Sequence, residues 1–201
     1  MLKFFNNKNG FSYVEIMTVV LIIMILSTIA LANLRGTGTK SELYVSAQKI
    51  ITDIHRAQND ALSSVEFNGE SPLGGWGIYF DKNLSSYVLY ADVADKNSGE
   101  IDHVCNNDCG PTSEESFLSI PLPEGTKIDR IYKIRSSDGA KIYTDKINLT
   151  IEPPDPITHF CEIAGDCDYD GIGFVIVNDK LDKREITVNF FGLVDTAEVA
   201  Y

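Results

Sequence analysis

Few residues in this chain of 201 have chemistry to offer, and the cysteines come first. They fall in two close pairs, Cys105-Asn106-Asn107-Asp108-Cys109 and Cys161-Glu162-Ile163-Ala164-Gly165-Asp166-Cys167. An even number of cysteines in a chain that reads as exported favours disulfides over free thiols. Local pairing would staple two loops and crossed pairing would tie the loops together. The sequence leans to the local form and leaves the choice open. A histidine stands two residues before each pair, His103 and His159, which raises a zinc site. The C-x3-C and C-x5-C spacings depart from those of structural zinc sites, so disulfides remain the expectation.

The stretch Asp166-Cys167-Asp168-Tyr169-Asp170-Gly171 sets carboxylates at alternate positions before a glycine, as a calcium loop opens. Position 12 of such a loop would be Val177 rather than a bidentate glutamate, so the motif is incomplete and competes with a plain acidic turn. A structural calcium on Asp166, Asp168 and Asp170 is the one cofactor suggested, and none is required. His55 belongs to a helical pattern, and no G-x-S-x-G, H-E-x-x-H or phosphate loop occurs. No catalytic residue and no enzyme are expected.

A fourth feature is Glu15, a carboxylate at the mouth of the uncharged run Ile16 to Leu34. About 20 apolar residues are what a bilayer core requires. A charge in hydrocarbon costs on the order of 2.5–3.5 kcal/mol on insertion scales, so Glu15 calls for a partner or a reason. A secretory signal is one reading, with Lys3 and Lys8 ahead and Ala30-Leu31-Ala32 as a cleavage site. An uncleaved anchor with Glu15 reaching the headgroups is another. Against the signal stand the negative charge of Glu15 and a run longer than the usual 7–15 or so residues.

The elements that must position these residues follow from periodicity. Arg35-Gly36-Thr37-Gly38 predicts a weak point after the apolar run, and Thr39 with Glu42 has the spacing of a box that restarts a helix. Leu43, Ala47, Ile50, Ile54, Ala57 and Ala61 recur at steps of three and four, an apolar stripe that needs a surface to lie on. Beyond Ser64 the pattern changes to strands. Trp76–Phe80 and Tyr87–Ala91 form a hairpin, and Ile128–Ile134 and Ile147–Ile151 form strands, the latter stopped by Pro153-Pro154. Phe174–Val177 and Glu185–Phe191 make the last hairpin. With no helix between strands, a mainly antiparallel sheet is expected. Net charge is -12 with no cluster of Lys and Arg, which argues against nucleic acid as a partner.

Gly10-Phe11-Ser12-Tyr13-Val14-Glu15, after a short basic leader and before an apolar helix, resembles the processing site of type IV prepilins and type II secretion pseudopilins. The resemblance implies cleavage by a prepilin peptidase between Gly10 and Phe11, N-methylation of Phe11, and a new α-amine. It also implies that Glu15, at mature position five, attracts that amine of a neighbouring subunit as helices stack in a filament. The fold implied is α+β and pilin-like: a leader at 1–10, a transmembrane and assembly helix at 11–38, an amphipathic helix at 39–64, and an extracytoplasmic β-rich head at 65–201. The partners implied are prepilin peptidase, other pilins or pseudopilins, and the inner membrane, with the head outside the cytoplasm. The amphipathic helix, the hairpin from Gly75–Phe80 through Tyr87–Asp92 and the closing Ile186–Val194 resemble the GspH/FimT-like minor pilins. Ala32 stands at mature position 22, where many major pilins carry proline, which favours a minor pilin or pseudopilin. Some FimT-like proteins bind DNA through a basic tail. The tail here, Asp195-Thr196-Ala197-Glu198-Val199-Ala200-Tyr201, is acidic and apolar.

Overall fold

The computed structural model describes residues 12–94, 101–105, 109–110, 113–154, 157–162, 166–167 and 169–199, with the side chains at 32–40 and 116 excepted. Its elements are α1 (Tyr13–Leu62), β1 (Gly75–Asp81), β2 (Ser86–Asp92), β3 (Ser116–Pro121), β4 (Thr126–Arg135) and β5 (Lys141–Thr144). They continue with β6 (Lys146–Glu152), β7 (Ile157–Cys161), β8 (Tyr169–Asn178), β9 (Lys183–Asn189) and β10 (Val194–Glu198). The chain divides into two compact units, Met1–Lys40 and Ser41–Tyr201.

In the first unit Tyr13–Leu31 is long and apolar enough to cross a membrane or to act as a signal, and none of it is buried. Helical backbone continues through Arg35-Gly36-Thr37-Gly38, so Thr39 does not cap a new helix. Each glycine costs about 1 kcal/mol against alanine. Stopping and renucleating would cost about 4 kcal/mol, from a nucleation constant near 10⁻³. Continuing is the cheaper course.

In the second unit the apolar stripe is realised: Leu43, Ala47, Ile50, Ile54, Ala57 and Ala61 are all buried. Two polar contacts pin this part of α1. Ser46 Oγ lies 3.2 Å from Thr126 Oγ1, and Gln58 Nε2 donates to the Gly192 carbonyl at 2.6 Å. The strands form two sheets where one was expected, each of five strands, in the orders β3-β2-β1-β6-β7 and β10-β9-β8-β4-β5. Every pairing between named strands is antiparallel. The head is thus α+β, with one core shared by the stripe of α1, Trp76, Ile78 and Phe80 of β1, and Ile172, Phe174 and Ile176 of β8. Phe80 stacks on Phe174 with centroids 4.7 Å apart, joining the two sheets.

Strand alternation gives the first sheet a second face. Ile147, Leu149 and Ile151 enter the main core, whereas Asn148, Thr150 and Glu152 point the other way. Tyr79, Val88 and Tyr90 on this outer face form a smaller core with Cys105 and Cys109. The expected run Ile186–Val194 is divided: Gly192, at φ 72°, turns the chain and β10 folds back on β9. Glycine takes that conformation without the steric penalty other residues meet.

Candidate functional site

Gly10 and Phe11 lie outside the described residues. Glu15 is exposed in the first turn of α1. The backbone N–H groups of Glu15 and Ile16 donate to the Ser12 carbonyl at 3.0 and 3.2 Å. Ser12 therefore stands at the N-cap and Glu15 at the third helical position, the arrangement of a capping box. A carboxylate there also faces the positive end of the helix dipole. Sequence reasoning missed this second role of Glu15, although S-x-x-E was there to be read.

The cysteines pair locally, Cys105 with Cys109 and Cys161 with Cys167, and no free thiol remains. Asn148 links the two staples: its Oδ1 accepts from the Cys105 backbone N–H at 3.0 Å, and its Nδ2 donates to the Cys161 carbonyl at 3.2 Å. Of the calcium carboxylates, Asp168 lies outside the described residues and Asp170 is exposed on β8. Asp166 already has a cation. The Lys133 ammonium, buried on β4, donates to it at 2.9 Å and to Glu162 at 2.7 Å, and sits 4.2 Å over the Tyr169 ring. Burial opposes the charge on Lys133, but bonds with Glu162, Tyr169 and Asp166 outweigh it and raise its pKa.

These contacts predict acid sensitivity. Lys133 holds Asp166, Lys183 holds Asp129, and Tyr132 with Lys141 holds Glu185 below the usual carboxylate range. A carboxyl with a lowered folded pKa adds stability that is present above its unfolded value, near 4, and is lost as pH falls through the folded one. Asp92, raised by burial, acts with the opposite sign, one group against three. The thermal midpoint should therefore fall most steeply below about pH 4. A scan that stays level down to about pH 3 would contradict these pairings.

The histidines are brought together. His103 precedes Cys105 in the segment over the outer face, and His159 lies on β7 opposite Thr150. Their rings stack with centroids 3.9 Å apart and planes 3° from parallel. The backbone carbonyl of His103 is held by Thr150 Oγ1 at 3.0 Å and Tyr90 Oη at 3.3 Å. Two carboxylates flank the pair, neither singled out from sequence. Glu152 Oε2 is 3.1 Å from His159 Nε2, and Asp92 Oδ2 is 3.2 Å from His103 Nδ1. Asp92 is wholly buried, and neither its oxygens nor that nitrogen has a well-aligned hydrogen bond among the described residues.

Burial raises the Asp92 pKa against the pull of His103. The Asp92 carboxylate raises that of His103, while burial, and then the charge of His103, lowers that of His159. A strand-end position on the face of Asn148 and Thr150 was the only sequence signal for Glu152. Comparison with known proteins finds no match: no protein-family model, no curated protein and no solved structure is similar to the chain.

Proposed function

We propose that the chain is a structural subunit of a filament, a pilin-like protein of the minor pilin or pseudopilin kind, working in a type IV pilus or a type II secretion pseudopilus. One observation carries the reading: an apolar helix, Tyr13–Leu31, wholly unburied, with Glu15 in its first turn and Gly10-Phe11 just before it. Such a helix needs lipid or other helices around it. In lipid, helices associate through packing and polar contacts rather than through the hydrophobic effect, so a charged pair at the helix start can select the partner. A prepilin peptidase would cut after Gly10 on the cytoplasmic side and leave the Phe11 α-amine at the depth of a neighbour's Glu15. A buried carboxylate is tolerable when paired. The β-rich head, outside the cytoplasm, would keep its two disulfides oxidised, and its acidic surface offers nothing to nucleic acid. No catalytic role is proposed for it.

Mass spectrometry of the mature chain tests the reading. N-methylated Phe11 is the expected new N-terminus. A chain beginning at Asn33 would replace the proposal with a secreted module released from a signal sequence, and intact Met1 would replace it with a plain anchor.

A further inference from the structure

The cluster at the 101–105 segment is built from three strands and one loop, and its residues are of the kinds that ligate metals. His103, Glu152 and His159 each offer a ligand atom, all within 4.8 Å of one another. The sheet makes room for them. In register across the outer face, Gly75 opposes Asp92, and Gly77 opposes Tyr90 on one side and Thr150 on the other. Gly74 packs so closely on Asp92 that a Cβ there would collide with its carboxylate. Gly74 and Gly77 thus let the Asp92 carboxylate and the Tyr90 ring lie against the start of β1, beside the place where side chains from β6, β7 and the 101–105 segment meet.

We propose that His103, His159 and Glu152 bind one divalent first-row transition ion of the zinc type, with Asp92 orienting His103 from behind. Two imidazoles and one carboxylate are the donor set that zinc accepts, with an open position left for water or an outside ligand. The Nε2 to Oε2 distance of 3.1 Å between His159 and Glu152 fits neighbouring ligands on one ion. Two bonds of about 2.0–2.2 Å span about 3.4 Å at the tetrahedral angle and about 3.1 Å at an angle of about 95–100°. Metal-bound histidines generally turn their second nitrogen to a carboxylate or carbonyl. His103 does so toward Asp92, which leaves its Nε2 as the donor.

Asp92 supplies an observation independent of the cluster itself. It is fully buried, and among the described residues its oxygens have no well-aligned hydrogen bond beyond the 3.2 Å approach of His103 Nδ1, a costly state that a cation beyond His103 would relieve. The cysteines take no part, since both pairs are disulfides. Parallel rings aim their lone pairs along parallel lines, so the stacked pair must splay about the ion. Each ring turns about its own χ2, and the strand positions stay as they are.

The test uses the untagged full-length chain in detergent with disulfides intact. The chain has three histidines, so His55, exposed on α1, serves as the internal control. Zinc titration followed by NMR should shift the imidazole signals of His103 and His159 and leave His55 in place. Cobalt should give the visible bands of a four- or five-coordinate ion at one equivalent. His103→Gln and His159→Gln should each weaken zinc binding at least tenfold by equilibrium dialysis, and His55→Gln should not. Absence of any shift in the unmodified chain at micromolar free zinc overturns the proposal without appeal to a variant. So does a shift confined to His55, or affinity unchanged in the His103→Gln, His159→Gln double variant. The proposal stands apart from filament assembly, since none of these readouts involves Glu15 or Phe11.

Discussion

Glu15→Gln should leave membrane insertion and cleavage after Gly10 intact while cutting incorporation into filaments by about a hundredfold or more. The size follows from removing one partner of the proposed charge pair, which when buried costs about 3–5 kcal/mol, at about 1.4 kcal/mol per factor of ten. Glutamine is chosen because it separates the two roles of this position. At the third helical residue behind Ser12, glutamine can close a capping box as glutamate does, so the helix start is preserved. What it lacks is the charge. Glu15→Ala loses both, and Glu15→Lys adds repulsion toward an α-amine, so both should assemble no better than the glutamine variant. The measurement is the ratio of variant to unmodified subunit in sheared filaments, with mature N-termini checked in the membrane fraction. A glutamine variant that assembles normally would reduce Glu15 to a helix cap and remove the pairing from the proposal.

The largest expected loss of stability is at Phe174. Its side chain is wholly buried on β8 and stacks on Phe80 of β1, in the core lined by the α1 stripe. Phe174→Ala removes contacts to both sheets at once. Truncations of this kind cost about 3–5 kcal/mol, the upper part where surrounding groups cannot close the cavity. Groups drawn from two sheets and a helix have little freedom to close it. For a chain of this size each kcal/mol moves the thermal midpoint by about 2–4 °C, so a drop of about 10 °C is expected. Calorimetry or circular dichroism reads it directly. Phe191→Ala, on an exposed turn, is the matched control and should move the midpoint little. Equal shifts for the two would mean that the sheets do not meet through Phe174.

The contrast between these positions also marks how far the fold was legible in the chain. The buried stripe Leu43 to Ala61 was readable because helix periodicity and burial coincide there. The strands β1, β2, β4, β6, β8 and β9 announced themselves by runs of β-branched and aromatic residues. Those not anticipated, β3, β5, β7 and β10, are the four edges of the two sheets. Edges bond on one side only and stay short, polar or charged to avoid pairing with other chains, so their pattern is faint. Lys141–Thr144 and Val194–Glu198 are such strands, and Asp195 and Glu198 read as tail for that reason. A second sheet could not be counted once all four edges were unseen.

The sites divide in the same way. Glu15 could be picked out because its charge violates an apolar run, whereas Asp92 and Glu152 violate nothing locally. Their meeting with His103 and His159 depends on the register of β6 with β7 and on where residues 101–105 settle. Neither is encoded within a few residues of any of the four. The disulfides were legible as a set of cysteines, and their local pairing required the loops to be placed.

The core contacts of α1 set an order of events in synthesis. Ala47, Ile50, Ile54 and Ala57 share their core with Ile172, Phe174, Ile176, Ile186 and Val188, and Gln58 reaches Gly192 across 134 positions. Each disulfide closes over four or six positions and needs only its own loop to form. The helical stripe has only part of its surface early, from Trp76, Ile78 and Phe80 of β1. It emerges ahead of every strand, yet much of the surface it must cover arrives with β8 and β9, near the end of the chain. Contacts so distant along the chain form slowly, and an apolar face left waiting is open to association with other chains. A ribosome stalled after β7 would therefore leave the helix covered by the first sheet alone, with the face meant for β8 and β9 open.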